Sequence, residues 1–267
     1  MKDVIVVYLI SIYDKREFLI NFLKNYINYK SGKEHKLIIC FKNFKKNDPI
    51  FSLNELKLVQ YEKYLDNNQF NDFDWGSYKR VAEKNKNKVI FFMNCHSYPI
   101  VDNWLAHFVN NYENKTLLGA SGSMESMVNS ALIGLHSKNK LKSYYYALAN
   151  FIRFPIFPNP HIRSNCFMIS ASDFIDLNFN KKYRYKKIGT WINESGRYGM
   201  TNFLKKKNFQ IYVINSDGLR FEESEWNKSE TYACSNQNKL IISDKFTRIF
   251  TRADYIKKEE IKKCIWG

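Results

Sequence analysis

Short apolar runs alternate with segments of helical periodicity in the first 120 residues of the chain. Residues 4–10 form a continuous run rich in β-branched side chains, which predicts a strand buried on both faces. Residues 15–29 follow with apolar side chains three or four positions apart, which predicts a helix. Further apolar runs predict strands at residues 37–41, 89–93, 116–119, 166–170 and 210–214. This alternation predicts an α/β fold with a mainly parallel central sheet and crossover helices.

Two helices are predicted from the residues that begin them. Asp102 is a residue type that caps helices, and Trp104, Leu105 and Phe108 follow it at helical spacing. Thr201 opens a segment that leads into the strand at residues 210–214. A length of 267 residues with 45% apolar side chains suits one core, so we expect a single domain with a small C-terminal extension.

Composition and charge narrow the class of protein. No apolar run reaches the length of about eighteen residues that a membrane span needs, and the start of the chain does not resemble a signal peptide. We therefore expect a cytoplasmic protein. Five cysteines without C-x-x-C spacing argue against a disulfide framework and a zinc knuckle, and are expected to be reduced and mostly buried.

The formal net charge of +16 raises the question of an anionic partner. The basic residues occur in short groups such as 84–88 and 205–207, without a basic amphipathic helix or an RNA-binding fingerprint. The charge fits a small anionic ligand and an anionic membrane surface at least as well as it fits DNA. We expect no nucleic-acid partner, and salt-sensitive retention on DNA or RNA would contradict this expectation.

Polar clusters occur where several of the predicted strands end. They comprise Ser11, Asn43, residues 94–97 and residues 121–126. In open α/β sheets, ligands bind at the carboxyl ends of the strands. These positions therefore predict a binding site, without yet specifying its chemistry.

The cluster after the strand at residues 89–93 contains Asn94, Cys95 and His96 and no carboxylate. Asn94 and His96 are suited to a softer cation such as Mn²⁺, which accepts imidazole, more than to an ion that prefers oxygen ligands alone. Alternatively, the site uses Arg and Lys in place of a metal. His96 is also compatible with a purely structural, hydrogen-bonded histidine.

Two later segments carry further polar side chains. Residues 116–126 combine Gly119 and Gly122 with Ser121, Ser123 and Glu125, so backbone amides could approach a phosphate or a sugar hydroxyl closely; an ordinary loop is the alternative. Residues 157–170 place three polar side chains just before a predicted strand, namely His161, Arg163 and Asn165. Arg163 suits bidentate contact with a phosphate or carboxylate, and a surface salt bridge is the alternative.

Residues 191–218 supply the candidate for acid–base chemistry. Glu194 precedes a Ser195-Gly196 turn, and Arg197 lies beside it. A reaction in which a hydroxyl displaces a leaving group needs a carboxylate to take the hydroxyl proton, and Glu194 is the candidate. The alternative is a glutamate that only caps a helix.

Taken in order, these segments resemble a group of bacterial glycosyltransferases related to the inverting GT-A family 2 and encoded among surface-polysaccharide genes. The resemblance spans roughly residues 70–250 and rests on DFDWGSY, FMNCHSYPIVDNWL, LLGASGSMES, FPNPHIRSNCFMI, ESGRYGMTNFL and DGLRFEESEW, with NQNKLIISDKFTR after them. It implies a GT-A-like fold, a nucleotide-diphosphate-sugar donor, inversion, and a position at the cytoplasmic face of the membrane. Most such enzymes have two aspartates bracketing one residue at the place of Asn94-Cys95-His96, so Mn²⁺ or Mg²⁺ dependence and metal independence both remain open.

The resemblance places Asp74 and Gly76 near the nucleotide, Asn94 and His96 near the diphosphate, and Glu194 near the acceptor. We further expect a donor-binding role for Ser11, Asn43, Asp72 and Arg163, and an acceptor-side role for Ser121, Ser123, Glu125, His161, Asn165 and Arg197. Residues 1–115 would then form the nucleotide-binding half, 116–250 the acceptor half, and 251–267 a C-terminal tail. The acceptor would be a surface polysaccharide or its lipid-linked precursor.

Residues 140–157 combine aromatic and basic side chains and contain no acid. This composition suits a membrane interface or an acceptor cleft beneath a lipid carrier, and a core helix under a loop fits it equally well. Two other functions remain open at this stage. One is a sugar-binding module that has lost catalysis along with the aspartates, and the other is a basic nucleic-acid-binding protein.

Overall fold

The structure is a computed structural model that describes residues 3–68, 71–132, 139–177, 179 and 182–267. Its strands are β1 (Val4–Ser11), β2 (Lys36–Lys42), β3 (Glu62–Asp66), β4 (Val89–Met93), β5 (Tyr98–Pro99), β6 (Thr116–Gly119), β7 (Gly122–Ser123), β8 (His161–Ile162), β9 (Cys166–Ser170), β10 (Gln210–Ile214), β11 (Arg220–Phe221) and β12 (Ile242–Ser243).

The helices flank these strands and connect them. They are α1 (Arg16–Asn28), α2 (Asn54–Lys57), α3 (Phe73–Lys84), α4 (Trp104–Asn111), α5 (Met127–Leu132), α6 (Lys140–Phe151), α7 (Ala171–Ile175), α8 (Lys187–Ser195), α9 (Met200–Lys206), α10 (Lys245–Arg252) and α11 (Tyr255–Trp266). Short 3₁₀ helices occupy Pro49–Ser52 and Glu223–Lys228.

One eight-stranded sheet organises the molecule, in the order β11-β10-β6-β9-β4-β1-β2-β3. The pairs β1–β2, β1–β4, β2–β3 and β6–β10 are parallel. Strand β9 runs antiparallel to both β4 and β6, and β11 is antiparallel to β10. The predicted α/β class with a mainly parallel sheet is confirmed. Because β9 is antiparallel to β4, its first residues lie beside the last residues of β4.

Both faces of the central strands are covered by helices, which explains why β1 is apolar throughout. Successive side chains of a strand point to opposite faces. Val6 and Tyr8 pack in one cluster with Phe22 of α1 and Trp104 of α4. Ile5, Val7 and Leu9 pack in a second cluster with residues of α3, α7 and α9. A strand buried on both faces has no polar side to display, so it appears in sequence as a continuous apolar run.

The predicted strands at residues 89–93, 116–119, 166–170 and 210–214 coincide with β4, β6, β9 and β10. The prediction for Asp102 is wrong. Asn103, in the left-handed region at φ 59°, precedes α4 and makes no side-chain cap. Asp102 instead accepts a hydrogen bond from the Lys30 backbone N–H at 2.7 Å. Its carboxylate therefore ties the α1–β2 connection to the start of α4.

Two small antiparallel pairs position segments beside the main sheet. Strand β12 pairs with β5, and β7 pairs with β8. The last helix, α11, returns to the body of the molecule through buried Ile265, whose carbonyl accepts a hydrogen bond from the Met124 N–H at 3.0 Å. Within the described ranges, no helix combines the length and apolar character needed to cross a bilayer.

Candidate functional site

A pocket of about 340 Å³ lies where the end of β4, the start of β9, the end of α8 and the start of α10 meet. Eight of the residues singled out from the sequence line it: Asn94, His96, Ser123, Glu125, His161, Arg163, Asn165 and Glu194. Its volume is in the range of small-molecule sites. Residues that are up to 100 positions apart in sequence thus share one cavity, as the hypothesis requires.

The pairing of β4 with β9 explains much of this convergence. Met93 pairs with Cys166, so the segment that leaves β4 lies beside the segment that enters β9. The Asn94 N–H donates to the Asn165 carbonyl at 3.1 Å, and Ser97 Oγ lies 3.1 Å from the same oxygen. The two polar segments are therefore joined by a backbone hydrogen bond and form one wall.

Glu194 lies in the last turn of α8 and is half-buried. Its Oε1 accepts a hydrogen bond from the Ser164 N–H at 2.6 Å. Its Oε2 accepts none from the residues that the structure describes. One carboxylate oxygen therefore fixes the side chain to the β8–β9 connection, and the side chain lines the pocket.

Arg163 is buried, so the surface salt bridge considered for it is excluded. Its Nη1 donates to Asp244 Oδ2 at 2.8 Å and to Ser121 Oγ at 3.2 Å. The guanidinium lies 3.8 Å from the centroid of the Tyr232 ring. Arg163 is thus held in a fixed orientation against the pocket by a carboxylate, a hydroxyl and an aromatic face.

Asp244 is a pocket residue that the sequence analysis missed. Its Oδ1 accepts from the N–H groups of Phe246 and Thr247 at the start of α10, and the Thr247 hydroxyl accepts from the Asp244 N–H. Its Oδ2 accepts from Arg163 and, at 2.6 Å, from Asn165 Nδ2. The Asp-x-x-Thr spacing was a readable helix-start signal. Nothing in the sequence indicated that the same carboxylate would bind Arg163.

Basic side chains gather on the α10 side of the pocket. Lys245 lines the pocket, and Arg248 Nη1 donates to the His96 carbonyl at 3.1 Å. Burial lowers the pKa of His96, the Asp14 charge opposes this, and the charges of Lys245 and Arg248 lower the pKa further. The His96 ring also meets Phe18 edge-on, with 4.5 Å between centroids. These contacts favour the neutral imidazole.

The residues present do not fit a metal ion held by Asn94 and His96 alone. Asn94 Oδ1 already accepts from the His96 N–H at 3.1 Å and from Ser97 Oγ at 2.8 Å, which closes the turn after β4. Across the described part of the chain, no three His, Cys, Asp or Glu side chains are grouped so that they could hold a metal. The Asn94 side chain is therefore a turn-forming group in this structure.

The residues expected around the nucleotide do not line this pocket. Asp72 is buried, and its carboxylate accepts from Lys42 Nζ at 2.7 Å and from Arg80 Nη1 at 2.6 Å. Arg80 Nε also donates to Asp66 Oδ1 at 2.6 Å. We call Lys42, Asp66, Asp72 and Arg80 the closed cluster. Since its carboxylates are already bound by cations within the protein, the contacts of Asp72 favour a structural role over the predicted contact with a donor.

Gly76 and Asn43 belong to the surroundings of the closed cluster. A Cβ at Gly76 would lie 1.9 Å from Asp72 Oδ2, so glycine is required here for the carboxylate to pack over α3. Asn43 has a φ of 62°, and its Oδ1 accepts from the Asn68 N–H at 3.2 Å. For both residues the contacts seen are with the protein itself.

Asp74 is placed differently from Asp72, although the two are only two positions apart in sequence. Burial raises the pKa of Asp74 to about 6, and the charge of Asp14 contributes next; Lys42 acts in the opposite direction, and Glu194 raises the value further. The charge of Asp74 is therefore coupled to that of Glu194. Asp14 was not predicted, and its Oδ2 accepts from the Ser11 N–H at 2.8 Å in the turn after β1.

The remaining predicted residues divide into two groups. Ser123 Oγ accepts from the Glu125 N–H at 3.0 Å, and His161 Nδ1 donates to the Asn159 carbonyl at 2.7 Å, so both segments are fixed at the pocket wall.

Ser121 contacts Arg163 and does not line the pocket. Arg197 also lies outside it, because its guanidinium donates to the Phe151 carbonyl at the end of α6. An acceptor contact by Arg197 does not fit this placement.

No protein-family model matches the chain, and no curated protein sequence matches it. Among solved structures, the mannosyltransferase PcManGT from Pyrobaculum calidifontis, in complex with GDP-Man and Mn²⁺, aligns over 89% of this chain and 64% of its own, with a TM-score of 0.47 and 9% identity. Mouse xyloside xylosyltransferase 1 in its apo form aligns over 80% and 85%, with a TM-score of 0.42 and 8% identity. HddC from Yersinia pseudotuberculosis aligns over 77% and 97%, with a TM-score of 0.42 and 11% identity. Similarity at this level does not decide the activity, which has to be inferred from the site itself.

Proposed function

We propose that the protein is a glycosyltransferase of the GT-A type. It would transfer a sugar, with inversion, from a nucleotide-diphosphate donor to a hydroxyl of a surface polysaccharide or its lipid-linked precursor. The observation that carries this proposal is one pocket in which the Glu194 carboxylate meets the polar end of β4 and the basic side chains of Arg163 and Lys245. Residues 1–115 would supply the nucleotide side of the site and residues 116–250 the acceptor side.

In this proposal Glu194 is the general base. The acceptor oxygen forms a bond to the anomeric carbon while the bond from that carbon to the diphosphate oxygen breaks, and the bonding electrons leave with the diphosphate. The hydroxyl proton passes to Glu194. The hydrogen bond from the Ser164 N–H fixes one carboxylate oxygen, so that the other can be directed at the hydroxyl.

The departing diphosphate would be stabilised by the basic side chains of the pocket. Lys245 is exposed to the cavity and Arg163 is fixed at its wall, while Arg248 lies behind His96. Preorganised cations of this kind act strongly on charge that develops in a site shielded from water. The turn at Asn94 and His96 would face the same group.

A divalent cation is not assigned to specific residues of this chain. Mn²⁺ or Mg²⁺, if bound together with a donor, would neutralise the diphosphate, and the described side chains do not by themselves form a site for it. We expect transfer to be either stimulated by Mn²⁺ or unaffected by a chelator. Strict dependence on Ca²⁺, measured by adding each metal back to chelated enzyme, would contradict this expectation.

An adjoining pocket supports a lipid-linked acceptor. It measures about 680 Å³ and shares Glu125, Tyr232 and Phe246 with the pocket that Glu194 lines. Its walls include Phe157 and Ile261. An acceptor whose reacting sugar lay by Glu194 could place an apolar portion here.

The experiment that tests the proposal incubates the protein with nucleotide sugars based on uridine, guanosine, thymidine and cytidine. Release of the nucleoside diphosphate and thermal stabilisation are measured for each donor. We expect one nucleotide class to be hydrolysed slowly without acceptor and to raise the melting temperature. A protein that responded to no donor would not be the proposed enzyme.

A sugar-binding module without catalysis is the second candidate, because residues 94–96 lack a carboxylate. That candidate predicts stabilisation by a sugar or a donor without any release of nucleoside diphosphate. The two functions are therefore separated by the same experiment.

A further inference from the structure

Helix α6 exposes large apolar side chains on one side. Leu141, Leu148 and Ile152 are 82%, 70% and 78% exposed, and Tyr145 between them is 69% exposed. These residues are spaced four, three and four positions apart, so they form a single stripe along the helix and into the residue that follows it. Tyr144 and Phe151, which are also exposed, flank this stripe. We call these six residues the outer face of α6.

The inner side of α6 is less apolar than its outer face. Ser143, Ala147 and Asn150 are buried there, and Ala147 packs in the small cluster that includes Val128 and Ala131 of α5. Asn150 Nδ2 donates to the Met127 carbonyl at 3.2 Å. A surface helix of a globular domain normally directs its apolar stripe inward. Packing within the described structure therefore does not account for the outer face, which indicates an external partner.

The charge of this segment selects among possible partners. Residues 139–157 contain Lys140, Lys142 and Arg153 and no Asp or Glu. Arg197 adds a further cation, with its guanidinium 5.4 Å from the centroid of the Phe151 ring. A second copy of the chain, docked face to face, would oppose these cations with the same cations. An anionic lipid surface complements them instead.

We propose that the outer face of α6 docks this protein onto an anionic lipid bilayer. The helix would lie in the plane of the interface, with its leucine, isoleucine and aromatic side chains among the headgroups and upper acyl chains. Lys142, Arg153 and Arg197 would contact the lipid phosphates at the edges of the face. This inference does not depend on the proposed activity.

The test is co-sedimentation of the 267-residue chain with vesicles. One set contains phosphatidylcholine alone, and the other contains phosphatidylcholine and phosphatidylglycerol in equal parts. We expect binding to the anionic vesicles, weakened by added salt, and little binding to the neutral ones. Equal binding to both, or none to either, would overturn the proposal.

Variants show whether the outer face of α6 is responsible for binding to the anionic vesicles. Leu148→Glu combined with Ile152→Glu should weaken binding by at least about tenfold, because two apolar side chains leave the interface and two negative charges enter it. Lys142→Gln should weaken it by about fivefold, the effect of one cation near such a surface. The matched control is Leu58→Glu combined with Leu219→Glu, which makes the same kind of change at two residues that are exposed on other elements.

Three further outcomes are decisive. If the control pair weakens binding as much as Leu148→Glu with Ile152→Glu, only net charge matters and the proposal fails. If sedimentation velocity shows a dimer that the Leu148→Glu and Ile152→Glu pair converts to monomer, the outer face is a self-association surface, and the proposal also fails. A melting temperature that stays unchanged in this pair, together with lost vesicle binding, supports docking by a folded protein.

Discussion

Two groups of charged residues in this molecule differ in how completely they are enclosed. In the closed cluster, Arg80 binds both Asp66 and Asp72, and Asp72 is also bound by Lys42 and by Arg184, which is half-exposed. At the pocket, Glu194 lines the cavity with one oxygen bound by a backbone N–H, and its other oxygen accepts no hydrogen bond from the described residues. A carboxylate whose oxygens are all bound by internal cations holds elements together. A carboxylate with an oxygen left toward a cavity is available for chemistry.

The strongest test of this difference is Glu194→Gln. The substitution preserves size and the contact with the Ser164 N–H but removes the base. We expect donor-induced thermal stabilisation to persist, while the rate of transfer falls by roughly a hundred to ten thousand times.

The matched control for Glu194→Gln is Glu113→Gln outside the pocket, whose Oε1 accepts from Arg220 Nη1 at 2.9 Å. It should keep transfer within about tenfold of the unmodified protein. Equal rates for Glu194→Gln and the unmodified protein would remove Glu194 from the role of base.

Asp72→Asn tests the other side of the comparison. Although burial alone would raise the pKa of Asp72, the hydrogen bonds from Arg80 and Lys42 hold it well below its usual range, so this carboxylate is charged in the folded protein. Removing that charge leaves buried Lys42 without its carboxylate partner and partly buried Arg80 with Asp66 alone. The free energy of unfolding should fall by about 3–5 kcal/mol, measured by urea denaturation.

Asp217→Asn, which removes an exposed partner of Lys239, is the control and should change stability by no more than about 1 kcal/mol. If Asp72→Asn left stability intact and abolished donor binding, the closed cluster would be part of the binding site after all.

Asp74→Asn is expected to stabilise the protein at neutral pH. The folded protein holds the Asp74 proton up to a pKa of about 6, whereas the ordinary value is 3.8. The folded state therefore binds more protons than the unfolded state between these values, and its stability decreases as the pH rises from about 4 through about 6. Above pH 6 the penalty is at most about 3 kcal/mol.

Thermal melts of the Asp74→Asn variant and the unmodified protein at pH 4 and pH 7.5 measure this difference. The variant should melt higher at pH 7.5 only. A variant that melts at the same temperature as the unmodified protein at both pH values would show that Asp74 is solvated and uncoupled from Asp14.

Gly76→Ala has the smallest expected effect on stability. The sign of the change in the free energy of unfolding separates a gain in helix propensity from displacement of the Asp72 carboxylate. Helix propensity alone predicts a gain of about 1 kcal/mol in α3. The added Cβ would instead displace the Asp72 carboxylate from its cations, for a loss of about 1–3 kcal/mol. Glu83→Ala, at an exposed position of the same helix, is the control. A net gain in the urea midpoint for Gly76→Ala would mean that the closed cluster relaxes easily around the new side chain.

The sequence predicted an element correctly wherever a local pattern of side chains determined its structure. Apolar runs predicted β1, β4, β6, β9 and β10 because a strand covered on both faces has only apolar side chains. Asn94 could be placed at a site since polar residues after central strands meet at one edge of the sheet. Glu194, in the last turn of α8, was proposed from the chemistry of a general base and from the family resemblance. The sequence did not show whether the aromatic side chains of residues 140–157 are exposed or buried, because an aromatic helix suits either a core or an interface.

What the sequence by itself determined is the positions of six sheet strands, β1, β2, β4, β6, β9 and β10, and the presence of polar residues after several of them. Only the tertiary structure decided which of those residues are enclosed. Asp72 and Asp74 lie two positions apart in sequence and are the same residue type. In the structure, however, Asp72 binds cations from β2 and α3, whereas Asp74 lies near Asp14. Asp244, remote in sequence, completes the surroundings of Arg163. Hydrophobic periodicity is a local property of the chain, whereas the partner of a charge depends on elements that fold together from distant positions.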